Sequence, residues 1–246
     1  MGDLRDLAIN LAATAIAFGI GFSVRSLFRL VRTRQARRFW APVVKDGGLF
    51  VLGHFSSELE PAGLVGVGDA RAFQELAAHF TDLKVRYQVT FANKLADQQL
   101  RNNLIILGGG DSNEVSQRLM ADIASGFEFG HDPADGVIVR DTGSGERFVP
   151  QRRESGEVTR DYGILIRVAS PFNPSRTAVV IAGAYGFGSW SGVRLVQDPD
   201  FLRYCRDFRE FACVFQADVL QGFPQHVVPV SWHSIERAPP KPRVLR

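Results

Sequence analysis

Apolar positions fall into two kinds of pattern along this chain. Residues 7–24, LAINLAATAIAFGIGFSV, form one uncharged run. As a helix it would cover about 27 Å, close to the ~30 Å hydrocarbon core of a bilayer. The later runs are short. Residues 49–52, 104–107 and 177–182 are apolar stretches of strand length, and glycine follows each. Phe73, Leu76, Ala77 and Phe80 recur at helical spacing behind Asp69, which reads as an N-cap. Val115, Leu119 and Ile123 predict a helix over 112–124, and residues 84–91 alternate as a strand. Strand, helix, strand, strand, helix is the order of an α/β sheet.

The middle of the chain changes character. Residues 136–140, 146–150 and 158–168 read as strands joined by tight turns, with Thr142-Gly-Ser-Gly the strongest turn signal. They predict an antiparallel meander at one side of the sheet. Arg152, Arg153 and Arg160 lie in or near its turns and read as solvated loop charges. Helices follow over 189–196 and 200–208. Phe211, Cys213, Phe215, Ala217 and Val219 then alternate as a half-buried strand.

Charge decides how the first apolar run is used. Asp3, Arg5 and Asp6 precede it; Arg25, Arg29, Arg32, Arg34, Arg37 and Arg38 follow it. Positive residues stay on the cytoplasmic side, so the run reads as an uncleaved single-pass anchor at the inner membrane, N-terminus outside and the rest in the cytoplasm. A cleaved signal peptide carries its positive charge first. The rival reading, an amphipathic or buried helix, lacks a polar face. Ala13, Ala17 and Gly21, and in a second register Ala15, Gly19 and Ser23, have the small-residue spacing of helices that associate with themselves in lipid.

The chain divides on this reading into anchor and basic neck (1–45), one α/β domain (46–237) and a loose tail (238–246). Residues 1–45 hold 8 basic and 2 acidic residues, and residues 46–246 hold 21 and 24. The basic pI of about 9.1 therefore belongs to the neck, whose expected partner is the anionic lipid bilayer. A nucleic-acid partner is not expected, because no basic patch is evident on the domain. Two cysteines, Cys205 and Cys213, form no disulfide framework, and Cys213 reads as a buried structural thiol.

Two segments share the order apolar strand, glycine turn, helix. In open α/β sheets such turns face a crevice beyond the carboxyl ends of the strands. The candidate ligand-binding residues are Gly108, Gly109, Gly110, Asp111 and Asn113 in the first turn, and Tyr185, Gly186, Gly188, Ser189 and Trp190 in the second. Asp111 with Glu114 resembles a capping box. The second turn has no acid of its own, which makes it the better expected cradle for an anion. His54 and Lys94 end other strands and are weaker candidates. Neither turn has the dinucleotide or Walker spacing, Gly188-Ser-Trp-Ser-Gly is not a nucleophile elbow, and no histidine pair has zinc spacing. No metal, cofactor or catalytic residue is assigned.

Residues 102–113, with Asp161-Tyr-Gly163 and the stretch through Gly188-Ser-Trp190, resemble uncharacterised bacterial Rossmann-like domains over about the central half of the chain. The resemblance implies a Rossmann-like three-layer domain with a mixed sheet, and it implies no activity. The leading expectation is a membrane-anchored cytoplasmic sensor or effector that binds a nucleotide-like or other anionic small molecule at the paired turns. The alternatives are a nucleotide-processing hydrolase or glycosidase, with Asp111 or Glu114 as acid or base near His54, and a ligand-free membrane scaffold. The anchor is directly testable. The chain is expected to stay with membranes through alkaline carbonate extraction, and removal of residues 1–24 is expected to release it. Extraction of the intact chain by carbonate would contradict the anchor.

Overall fold

The three glycine-ended runs lie side by side as parallel strands. The computed structural model describes residues 31, 33–55 and 64–235; the expected anchor lies outside them. No helix among the described residues is long and apolar enough to cross a membrane. In chain order the elements are α1 (Ala41–Asp46), β1 (Gly48–Leu52), α2 (Val67–Asp82), β2 (Tyr87–Phe91), β3 (Leu104–Leu107), α3 (Glu114–Asp122), β4 (Phe127–Asp132), β5 (Gly136–Asp141), β6 (Arg147–Phe148), β7 (Gln151–Arg152), β8 (Val158–Ser170), β9 (Asn173–Gly183), α4 (Gly186–Leu195), α5 (Pro199–Tyr204), β10 (Phe211–Leu220) and β11 (Phe223–Ser234).

The main sheet runs β11-β10-β8-β9-β3-β1-β2, and β7 also pairs with β8. Strands β9, β3, β1 and β2 are parallel, whereas β11, β10, β8 and β9 pair antiparallel. The fold is thus α/β with a mixed sheet, and β9 joins its two halves. Side chains alternate between two cores. Phe50, Leu52, Ile105, Leu107, Val179 and Ile181 meet Leu76 and Phe80 of α2 and Val193 of α4 on one face. Leu49, Val51, Leu104, Ile106, Ala178 and Val180 meet Val115 and Leu119 of α3 on the other. Burial on both faces explains why these strands are continuous apolar runs without alternation.

Three expectations change. The meander divides: β4, β5 and β6 form a separate three-stranded sheet, while β8 enters the main sheet between β10 and β9. Strand β4 did not stand out because its sequence, FEFGHD, has only two apolar side chains. Strand β10 is buried on both faces over 211–215, because β8 and β11 flank it and both cores reach it. The helix expected over 112–124 begins at Glu114, capped by Asn113 and not by Asp111.

The neck is also part of the globule. Ala36, Phe39, Trp40 and Val43 are buried in the first core. The Trp40 ring meets Phe80 edge-on at 4.9 Å. Pro42 stands in the first turn of α1, where its missing N–H is harmless.

Asn113 secures the turn below the crevice. Its Oδ1 accepts from the amides of Val115 and Ser116 at 3.1 and 3.2 Å. Its Nδ2 donates to the carbonyls of Val51 and Leu107 at 3.1 and 3.0 Å. One fully buried amide thus ties β1, β3 and α3 together. Asn113→Ala would strip the Val115 and Ser116 amides of their cap and take one donor from each of the Val51 and Leu107 carbonyls, the latter still accepting from the Gly53 amide, and is expected to lower the unfolding free energy by about 2 kcal/mol. Urea denaturation checks this, with exposed Asn102→Ala expected to change it by less than about 0.5 kcal/mol.

Candidate functional site

Neighbouring strands β1 and β3 send their helices to opposite faces of the sheet, α2 to one and α3 to the other. That reversal opens a crevice at the carboxyl ends of the strands. A cavity of about 580 Å³ lies there. Gly109, Gly110, Asp111 and Ser112 form one lip; Gly183, Ala184, Tyr185, Gly186 and Ser189 form the other. Phe127, Glu128, Phe129 and Val137, from β4 and β5, make a third wall. Asp69 and Phe55 close the remaining side. The two glycine turns therefore face each other across one space.

Their glycines do different things. A Cβ on Gly109 would meet nothing closer than 3.8 Å, and one on Gly110 would meet Gln117 at 3.4 Å. This turn leaves room. In the second turn a Cβ on Gly183 would fall 2.2 Å from the Tyr185 carbonyl oxygen, and one on Gly188 would fall 2.5 Å from Gly183 Cα. A Cβ on Gly68 would lie 2.1 Å from the Gly186 carbonyl oxygen. Glycine there lets the chain approach itself, and lets the N-termini of α2 and α4 touch.

The second turn is also not an open anion cradle. Asp161, buried on β8, reaches into it. Its carboxylate accepts from the amides of Gly188 at 2.6 Å, Tyr185 at 3.2 Å and Tyr162 at 2.8 Å. The anion that a helix N-terminus attracts is supplied by the protein itself. Burial pushes the Asp161 carboxyl up to about 7, against the pull of the Gly188 and Tyr162 amides and of Arg152.

Asp69 is the second buried acid. Gly66, not Asp69, is the N-cap of α2. Asp69 sits within the first turn and faces the crevice. Burial raises its pKa, and a hydrogen bond from Ser189 pulls the other way. The Ser189 hydroxyl accepts from the Gly183 amide at 3.2 Å, which leaves its proton for Asp69. With Asp111 and Glu128, three acids line the crevice among the described residues, and none of its described lining residues is lysine, arginine or histidine.

The other candidates are placed as follows. Gly109, Gly110, Asp111, Tyr185, Gly186 and Ser189 line the crevice; Gly108, Asn113, Gly188 and Trp190 do not. Gly108 takes the left-handed conformation, φ 100°, that turns the chain out of β3. Trp190 packs in the first core and donates to Glu75 at 2.6 Å. Tyr185 lies under the Arg152 guanidinium, which is 4.4 Å from its ring centre, and its buried hydroxyl has no hydrogen-bond partner among the described residues. Arg153 and Arg160 pair with Glu157 and Asp218; Arg152 and Arg153 are exposed and Arg160 is half-buried. Glu114 is exposed. His54 and Lys94 do not line the crevice; Lys94 lies 5.9 Å from the Phe91 ring centre. Both cysteines are buried and free.

Among the described residues no group of three or more His, Cys, Asp or Glu side chains could hold a metal ion. No protein-family model, curated protein or solved structure matches the chain, so the chemistry of the site rests on its own geometry.

Asp161 gives a pH signature. A carboxyl whose pKa is raised on folding stabilises the fold fully below its unfolded value near 4, and that contribution is lost as pH rises through about 7. Asp69 shifts in the same direction. The unfolding free energy of the wild type is expected to fall, relative to that of Asp161→Asn, by up to about 1.4 kcal/mol per pH unit across this window. Urea denaturation at pH 4.5, 5.5, 6.5 and 7.5 checks this. Parallel profiles would contradict it.

Proposed function

We propose that the chain is a membrane-anchored, ligand-responsive sensor or effector of Rossmann-like architecture, and that its crevice takes an uncharged, hydroxyl-bearing small molecule with a flat ring. A nucleoside is the class that fits best. The lining carries this reading. Phe55, Phe129, Tyr185 and Met120 offer apolar and aromatic surface to a ring. Asp69, Asp111 and Glu128 offer acceptors to hydroxyls. Asp111 and Glu128, with Asp161 filling the helix N-terminus, count against a phosphate, so the anionic class of ligand expected from the glycine turns is disfavoured. The anchor is supported by the charge asymmetry around residues 7–24.

A second reading has one specific observation in its favour. Asp69 has a raised pKa inside the crevice and stands with other carboxylates. A protonated acid beside an ionised one is the arrangement of glycoside-cleaving enzymes. On that reading Asp69 gives a proton to the leaving base and Asp111 or Glu128 activates water.

Calorimetric titration with the uncharged nucleosides adenosine, guanosine, cytidine and uridine tests the binding. At least one is expected to bind, and Gly109→Val is expected to abolish binding while the protein stays folded, since that position has open space. Substitution of Gly186 or Gly188 is a poorer probe, because both pack against backbone. Absence of binding, or binding indifferent to Gly109→Val, would contradict the proposal. Chromatography of the bound mixture separates the two readings: intact nucleoside supports the sensor, and release of free base that stops in Asp69→Asn supports the hydrolase.

A further inference from the structure

A second cavity, of about 630 Å³, opens on the first-core side of the sheet between the helical segment 33–39 and the stretch from α5 to the start of β10. Arg167 on β8 marks its depth. It stands six residues along the strand from Asp161, about 20 Å from the crevice end. The two cavities thus lie at opposite ends of the sheet.

Six arginines line this space: Arg34 and Arg38 from the neck, Arg167 from β8, and Arg203, Arg206 and Arg209. A single acid, Asp207, lines it with them. Arg203 pairs with Asp200 at 3.1 Å and Arg206 with Asp207 at 3.3 Å, both exposed pairs of small energy. Arg34, Arg38 and Arg209 have no ion-pair partner among the described residues. Sequence reading assigned the basic charge to the neck alone. Folding brings the neck against 203–209 and makes one concave surface from both.

Arg167 is held rigidly. Its Nη1 donates to the carbonyls of Phe208 and Arg209 at 3.3 and 3.1 Å. Its guanidinium lies 5.1 Å from the Phe39 ring centre. Burial lowers its pKa, with Cys205 and Glu210 acting in the opposite direction. Its Nε is buried without an acceptor among the described residues. A cation so desolvated, beside three arginines without a carboxylate partner, makes a strongly positive concavity.

We propose that this cavity is a binding site for a phosphate-bearing group of one or two phosphates, either the headgroup of an anionic phospholipid or a free oligophosphate. Guanidinium forks match phosphate oxygens in pairs. The volume suits a headgroup and not a nucleic-acid duplex. Arg34 is ten residues beyond Val24, at most about 35 Å of chain, so a lipid surface at the end of the expected anchor is within reach. The proposal is independent of the crevice ligand.

The test uses the full 246-residue chain in uncharged maltoside micelles. Calorimetric titrations compare dihexanoyl-phosphatidylglycerol, dihexanoyl-phosphatidylcholine, inorganic pyrophosphate and a short single-stranded DNA. Arg34, Arg38 and Arg209 are exposed, so the triple change Arg34→Gln, Arg38→Gln, Arg209→Gln leaves the core intact, and an unchanged thermal unfolding curve checks that. Phosphatidylglycerol or pyrophosphate is expected to bind, phosphatidylcholine is not, and the triple variant is expected to lose about 100-fold in affinity. Binding of phosphatidylglycerol alone identifies a lipid source, and binding of pyrophosphate alone a soluble one. Failure of both, undiminished binding in the triple variant, or DNA as the sole ligand would overturn the proposal.

Discussion

The carboxylate of Asp161 at the N-terminus of α4 is the contact on which the rest of the site depends. A helix N-terminus presents amides that need an acceptor. Here two of them, those of α2 and α4, meet where Gly68 touches Gly186. Left alone, this junction would be a strongly positive corner open to any passing anion. Asp161 satisfies α4 from beneath, and Asp69 faces the same junction from α2. Both carboxylates are desolvated, and both are pushed toward protonation by that burial. The strand-to-helix turn after β9 is therefore a closed, self-satisfied structure. On the proposed function, recognition falls to the open turn after β3 and to the acids and aromatic rings around it.

A division of the molecule follows. One end of the sheet is acidic and lined with aromatic and apolar side chains; the other gathers five arginines around Arg167. Placed with the arginine end toward an anionic bilayer, as proposed, the crevice would face away from the lipid. The neck links the two roles, because Phe39 and Trp40 pack into the same core as α2 and α4. A change at the basic cavity has a packed route toward the helices that border the crevice. Coupling along it would require two arrangements of those helices.

Much of the fold was legible because the strand runs and glycine turns are local signals. Residues 49–52, 104–107 and 177–182 announced β1, β3 and the core of β9, and facing turns follow once those strands lie parallel. What each glycine serves was not legible. Gly109 and Gly188 look alike in sequence, yet one faces open space and the other faces backbone. The role of Asp161 was not visible: it stands beside Arg160 in a strand that also holds Arg167, so nothing local sets it apart. That its partners are amides some two dozen residues later requires the fold. Asn113 looked equally suited to a ligand and to a cap, and only the two carbonyls above it decide the matter. The arginine cavity was hidden most completely, since it joins residues 34 and 38 to residues 203–209 across the whole chain.

Chemical rescue tests the central contact most directly. In Asp161→Ala the amides of Gly188 and Tyr185 lose their carboxylate acceptor, Gly188 keeping only the Tyr185 carbonyl, and a small carboxylate can take the vacated seat. Thermal unfolding of the wild type and of Asp161→Ala, each with increasing sodium formate against a sodium chloride control, reads this out. Asp161→Ala is expected to be destabilised, and formate is expected to restore much of the loss while leaving the wild type unmoved. A variant as stable as the wild type, or one that formate does not rescue, would show that Asp161 is not the internal anion of this site.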